Sequence, residues 1–335
     1  MRCARFVLAM VMVLGLALPA AQAWAAQLEK VRCSEAVRGF FFLPLYLGQA
    51  LKTFEKQGIE VEFVPTQGGP LAMQALINGD VEVCAIGHGQ VANLYAQGKP
   101  TRIIFEMQDK CTFYLVGKPG VASLKDLGGK NMGVTKFGSE THGVGRALAA
   151  WAGFDPETGI NMIETGGMGT MAAALEADRV QAALAWQPMV GKLEQAGKAK
   201  VLATLNTAED SARYFGSPDY SFSVLQVTPE YAKAKPETLK RFVAAVLEAQ
   251  TWLREHSAAE VAKLAAPYFE GMSEADIAMS VDRDRQAFSA SGIVSRPGHD
   301  TALRIFQDAK ILTKPVAFED LVDNSFTEAA KALKK

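Results

Sequence analysis

The sequence predicts an α/β protein made of two similarly built lobes. Three observations carry this. Short apolar strands alternate with helices over the first two thirds of the chain, a strand–Gly-Gly–helix–strand unit occurs twice, and the last third, from Pro229 onward, is mostly helical. Short apolar strands separated by helices form βαβ units, which build largely parallel sheets covered on both faces.

Element by element, residues 30–33 read as a short strand and 45–57 as a helix stopped by Gly58. Residues 61–64 alternate as a strand, and 70–78 form a helix stopped by Gly79. Residues 81–86 and 101–107 are near-continuous apolar strands. The pattern then restarts, with strands at 112–117 and 131–134, a helix at 141–151 closed by Gly153, a strand at 160–164, a helix at 170–177 and a strand at 181–185. Further on, Leu239, Phe242, Val243, Val246 and Leu247 recur at helical spacing, and Pro236 and Ser257 are helix-start residues.

The repeat is specific. Val64-Pro65-Thr66-Gln67-Gly68-Gly69 is followed by a helix with Ala75-Leu76 and then Asp80-Val81-Glu82-Val83-Cys84-Ala85. Met162-Ile163-Glu164-Thr165-Gly166-Gly167 is followed by a helix with Ala174-Leu175 and then Arg179-Val180-Gln181-Ala182-Ala183-Leu184. The same unit built twice implies two lobes.

At the N-terminus, Arg2 and Arg5 precede an uncharged apolar stretch over residues 6–18, then Pro19 and a run of small residues to Ala26. These are the three regions of a secretory signal peptide. The stretch is shorter than the ~20 residues a spanning helix needs. No cysteine closes it, and Cys3 lies too early to carry a lipid. The formal net charge is −1 with both signs interspersed, which leaves no electrostatic footprint for nucleic acid or an anionic membrane. Cys33, Cys84 and Cys111 remain after cleavage, an odd number that leaves a free thiol, and all three read as buried thiols. No Cys or His pair has metal-ligand spacing, no nucleotide or hydrolase motif occurs, and neither a metal nor a cofactor is expected.

Candidate ligand residues fall at the carboxyl ends of strands, where open α/β sheets bind ligands. Gly68-Gly69 and Gly166-Gly167 precede helices and can turn backbone N–H groups toward a ligand. Gly138-Ser139-Glu140-Thr141 is a third helix start, with hydroxyls on Ser139 and Thr141 and His142 just beyond. Gly87-His88-Gly89-Gln90 follows one strand, and Trp186-Gln187-Pro188 occupies the matching place in the second half. Three adjacent aromatics, Phe40 to Phe42, follow the first strand, and Phe41 and Phe42 are read as pocket rings. Arg38 beside them is a counter-charge for a sulfonate or carboxylate.

The run Leu43-Pro44-Leu45-Tyr46-Leu47-Gly48-Gln49-Ala50-Leu51-Lys52-Thr53-Phe54-Glu55-Lys56-Gln57-Gly58-Ile59-Glu60-Val61-Glu62-Phe63 resembles the opening of the nitrate/sulfonate/taurine and thiamine-precursor (pyrimidine) binding proteins of ABC importers. Ala75 to Glu82, Gly133 to Thr141, and Leu239 to Leu253 resemble later stretches of the same family. The resemblance implies a type II periplasmic binding protein fold, with two α/β lobes joined by two crossover strands near residues 111–117 and 220–227. It implies a signal peptide over 1–26, the first part of lobe 1 over 27–112, lobe 2 over 113–220, and the return to lobe 1 with C-terminal helices over 221–335. It further implies a monomeric periplasmic protein that delivers a small anionic or zwitterionic solute to an inner-membrane ABC permease and its ATPase, without catalysis. A pyrimidine ligand is the alternative, although pyrimidine-binding members carry a polar, His-containing stretch where Phe40 to Phe42 stand here. A pyrimidine-synthesis enzyme on the same fold is a further alternative, which the export signal disfavours.

The signal-peptide reading is testable directly. Mass spectrometry of the protein expressed in a Gram-negative host is expected to show a mature start between Trp24 and Gln27. An intact N-terminus on cytosolic protein refutes it.

Overall fold

The computed structural model describes residues 28–333, so the export segment read at residues 1–26 lies outside the described residues. The strands are β1 (Glu29–Glu35), β2 (Ile59–Pro65), β3 (Val83–Gly87), β4 (Arg102–Gln108), β5 (Tyr114–Gly117), β6 (Asn131–Val134), β7 (Asn161–Glu164), β8 (Ala182–Ala185), β9 (Lys200–Thr204) and β10 (Ser223–Val227). They form two sheets, ordered β2-β1-β3-β10-β4 and β7-β6-β8-β5-β9. Within each sheet the β1–β2–β3 and β6–β7–β8 pairings are parallel. β10 runs antiparallel to β3 and β4, and β5 antiparallel to β8 and β9. The reversed strand in each sheet is the one that arrives from the other sheet. Val83 to Gly87 and Ala182 to Ala185 are buried throughout, which is why they read as unbroken apolar runs rather than alternating ones.

The two crossovers run side by side: Tyr220 N–H donates to the Asp109 carbonyl at 3.3 Å and Phe222 N–H to the Gln108 carbonyl at 3.0 Å. After β10 the chain is helical. The helix Pro236–Glu255 buries Leu239, Phe242, Val243, Val246 and Leu247, each contributing roughly 1.5–3 kcal/mol when fully buried. Among the described residues no helix is long and apolar enough to cross a membrane. Cys33, Cys84 and Cys111 are free and buried.

One predicted helix is in fact two. Residues 45–57 divide into Leu43–Ala50 and Thr53–Lys56, with Lys52 between them at φ 59°. The break lets Thr53 Oγ1 donate to the Ala245 carbonyl at 2.9 Å and brings Phe54 to 5.0 Å from Phe242. Tertiary packing overrides local propensity there.

The helix Arg296–Asp308 wedges between the two lobes. Its Phe306 ring lies against Gly89, at the start of the helix His88–Ala96, and against Gly143 in the helix Glu140–Trp151. A Cβ at Gly89 would come within 2.1 Å of that ring, and one at Gly143 within 2.5 Å.

Buried carboxyls gather along the crossovers. Tyr114 OH donates to Asp284 Oδ1 at 2.6 Å, and Tyr220 OH donates to Glu140 Oε1 at 2.6 Å. Burial pushes Glu35, Glu140 and Asp284 up to about 7 and Glu106 up to about 8. In the unfolded chain these groups release their protons near 3.8–4.5. The folded state therefore holds more protons between those values and 7–8, and stability falls as pH rises through that window. His88, His142 and His299 act in the opposite sense: burial lowers them from 6.5, so they reduce stability only on acidification below that value. Between pH 6.5 and 8 the carboxyls dominate. Thermal unfolding is expected at a higher Tm at pH 6.5 than at pH 8, with Glu106→Gln flattening the difference. An equal or higher Tm at pH 8 refutes the assignment.

Candidate functional site

The loops after β1, β2 and β3 face the loops after β6, β7 and β8, so the carboxyl ends of the parallel strands in both sheets meet at one cleft. Between them lies a narrow cavity of about 30 Å³. Its aromatic wall is Phe41, Phe42, Phe113, Trp186 and Phe222, with Ala36, Val37 and Ile86 beside them. Its polar wall is Gln90, Thr135, Ser139, Glu140, Thr141 and Ser223, and Gly69 and Gly87 complete the lining.

Three contacts draw the lobes together around it. Trp186 Nε1 donates to the Arg38 carbonyl at 3.2 Å, Gly167 N–H donates to Gln67 Oε1 at 3.2 Å, and Gln90 N–H donates to Glu140 Oε2 at 3.3 Å. In the third, a carboxylate from one lobe caps a helix start in the other, the position where a helix favours negative charge. Gly89 N–H also serves Glu140.

The two lining glycines have a steric role. A Cβ at Gly87 would come within 2.3 Å of Glu140 Oε2, and one at Gly69 within 1.7 Å of Gln90 Oε1. Both positions read from the sequence as ligand-facing backbone turns, and in the structure they also leave room for two polar side chains. The hydroxyls opposite form a cluster: Thr135 and Thr141 lie 3.0 Å apart and Ser139 and Thr141 2.8 Å apart, with Thr135 N–H donating to Thr141 Oγ1 at 2.9 Å.

Of the residues singled out from the sequence, Phe41, Phe42, Gly69, Gly87, Ser139, Glu140, Thr141 and Trp186 come together on this cavity. The others do not line it. Arg38 Nε lies 3.3 Å from Glu35 Oε2, and its guanidinium stacks 4.6 Å over Tyr46, so its charge is already matched within its own lobe. His88 is buried behind the wall, with Nδ1 2.8 Å from Ser221 Oγ and Nε2 3.0 Å from His299 Nδ1. Gly89 packs on Phe306. His142 Nδ1 accepts from Gly138 N–H at 2.9 Å, which ties the ring into its own turn. Gln187 Oε1 accepts from Ser280 Oγ at 3.2 Å and from Gly191 N–H at 3.3 Å. Gly68, at φ 144°, lies under the Lys136 stem, and Gly166 and Gly167 meet Gln67 at the rim.

Sequence reasoning missed Phe113 and Phe222, which stand on the two crossovers with ring centroids 4.8 Å apart. It also passed over Gln90, whose Oε1 is buried without a hydrogen-bond partner.

The taurine-binding periplasmic protein of Escherichia coli (strain K12) is 24% identical over 85% of this chain and 89% of its own length. A solved protein from Bordetella bronchiseptica RB50 superposes with a TM-score of 0.83 at 22% identity, over 92% of this chain and 98% of that one. The alkanesulfonate-binding protein SsuA from Xanthomonas axonopodis pv. citri, bound to MOPS, gives 0.74 at 18% identity, over 90% and 100%. The fold is also used for catalysis: the desulfurization enzyme DSZB gives 0.61 at 17% identity, over 92% and 100%. These superpositions place the chain in the periplasmic binding protein fold. The family described as NMT1/THI5 like matches residues 40–259, well over half of the sequence, and the chain belongs to that family.

Proposed function

We propose that this chain is the periplasmic substrate-binding subunit of an ABC importer, which closes two lobes over a small organic solute and presents it to an inner-membrane permease and its ATPase. In this reading residues 27–112 form the first part of lobe 1, 113–220 form lobe 2, and 221–335 return to lobe 1 with the C-terminal helices. The observation that carries the reading is the cavity between them, with walls from both sheets and hydrogen bonds joining the lobes around it. Hinged closure on a ligand is how binding proteins of this architecture work. The relatives named for taurine and alkanesulfonates support the transport role.

The proposed contacts are Phe41, Phe42, Phe113 and Trp186 for the apolar part of the solute, and Gln90, Ser139, Glu140 and Thr141 for its polar part. Arg38 no longer supports an anion, because Glu35 occupies it. A pyrimidine ring, the alternative solute, would use the same aromatic wall. A catalytic reading rests on the desulfurization enzyme that shares the fold.

One experiment separates transport from catalysis. A library of small organic solutes is screened by thermal shift, and each hit is examined by small-angle scattering and then recovered by denaturation for mass spectrometry. A true ligand at a hundredfold excess over Kd stabilises by about 2.7 kcal/mol. The expected result is compaction on binding and recovery of the hit unchanged. Recovery of a chemically altered product favours the enzyme, and tight binding with no change in radius removes the closure mechanism.

A further inference from the structure

We infer that the cavity selects a small organic cation or N–H donor, an amine or amidine carried on a flat apolar body, rather than an oxyanion, and that Glu140 is the residue it pairs with. This rests on the binding-protein reading above and narrows its ligand.

Among the residues lining the cavity, Glu140 is the one ionisable group, and no lysine, arginine or histidine faces it. The nearby cations are engaged elsewhere: Arg38 with Glu35 at 3.3 Å, and Lys136 with Glu164 at 3.2 Å. A sulfonate or carboxylate entering here would meet no counter-charge, and once Glu140 is ionised, above about pH 7, it would also meet a carboxylate whose repulsion is weakly screened in a water-poor site.

A helix start at a cleft ordinarily attracts an anion. Here the start of the helix His88–Ala96 is already taken, because Gln90 N–H, at 3.3 Å, and Gly89 N–H both serve Glu140. The protein's own carboxylate stands where a bound oxyanion would.

Gln90 is 3% exposed, and its Oε1 is buried with no hydrogen-bond partner. A buried unpaired acceptor is costly, so a ligand N–H there satisfies an atom that the protein leaves unsatisfied. The remaining polar groups are largely spent. Ser223 Oγ donates to the Phe41 carbonyl at 3.1 Å, and the Thr135, Ser139 and Thr141 hydroxyls bond one another.

The aromatic wall fits the same chemistry. Phe41 and Phe113 have ring centroids 5.7 and 6.1 Å from Trp186, and such faces attract a delocalised cation as well as an apolar ring.

The test uses the mature chain and five probes of one ring size: benzamidine, benzylamine, benzamide, benzoate and benzenesulfonate, each titrated calorimetrically into wild type, Glu140→Gln and Tyr220→Phe. Benzamidine is expected to bind wild type at least tenfold more tightly than benzenesulfonate. Glu140→Gln is expected to weaken benzamidine ten- to a hundredfold, the loss of one charge-assisted hydrogen bond, and to leave benzamide within threefold. Tyr220→Phe keeps the carboxyl and removes the hydroxyl that donates to it, so benzamidine is expected to lose less affinity there than in Glu140→Gln. Tighter binding of either anion, or a loss in Tyr220→Phe equal to that in Glu140→Gln, overturns the inference while leaving the transport role standing. If no probe binds up to its solubility limit, and the solute library also gives no hit, both fall. If no probe binds but the library yields an oxyanion, only this inference falls.

Discussion

The arrangement of the cleft depends on one carboxyl that belongs to lobe 2 and is satisfied largely by lobe 1. Glu140 opens its own helix, where its charge favours the local dipole, and it reaches the N–H groups that open the helix His88–Ala96. Tyr220, on the second crossover, holds its other oxygen. Gly87 must lack a side chain for the carboxyl to fit at all. A buried carboxylate is costly unless its lone pairs are met, so the distance between the lobes here is set by hydrogen-bond length. The Trp186–Arg38 and Gly167–Gln67 contacts then close the two sides of the cleft.

This constraint explains why the cleft is chemically lopsided. Aromatic rings come mainly from the loop after β1 and from the crossovers, whereas hydroxyls come from the turn after β6. The hydroxyl cluster is local, since Thr135, Ser139 and Thr141 are within one helix entry of each other and bond mutually. Gln90 joins this cluster through its backbone, whose N–H donates to Glu140 Oε2 at 3.3 Å.

Much of the architecture was legible in the sequence because it repeats. The Gly-Gly turns after β2 and β7 and the apolar strands β3 and β8 stand in matching places, and the residues after them, Gly87 and Trp186, do reach the cavity. What was not legible depends on partners far along the chain. His88 looked like a ligand residue until His299, more than two hundred positions away, supplied its neighbour. Phe113 and Phe222 meet only because the two crossovers lie side by side. The fate of Arg38 could have been read more closely. Glu35 ends a buried strand three residues earlier, and a carboxyl in that setting demands a partner nearby. The helix break at Lys52 had no local signal, because it is imposed by the later helix Pro236–Glu255.

The position of β10 also sets the order in which the molecule can assemble. All five strands of the second sheet, β5 to β9, are consecutive in sequence, so that lobe closes on itself without the rest of the chain. The first sheet cannot do so. β3 and β4 do not pair with each other; β10 lies between them and bonds both, and it is made only after the whole second lobe. Until residue 227 is available, lobe 1 has the three-stranded fragment β2-β1-β3 and the separate strand β4, with open edges of the kind that invite pairing with the wrong chain. Such long-range pairing is slow to form. The lobe that starts first in the sequence is therefore the one that folds last.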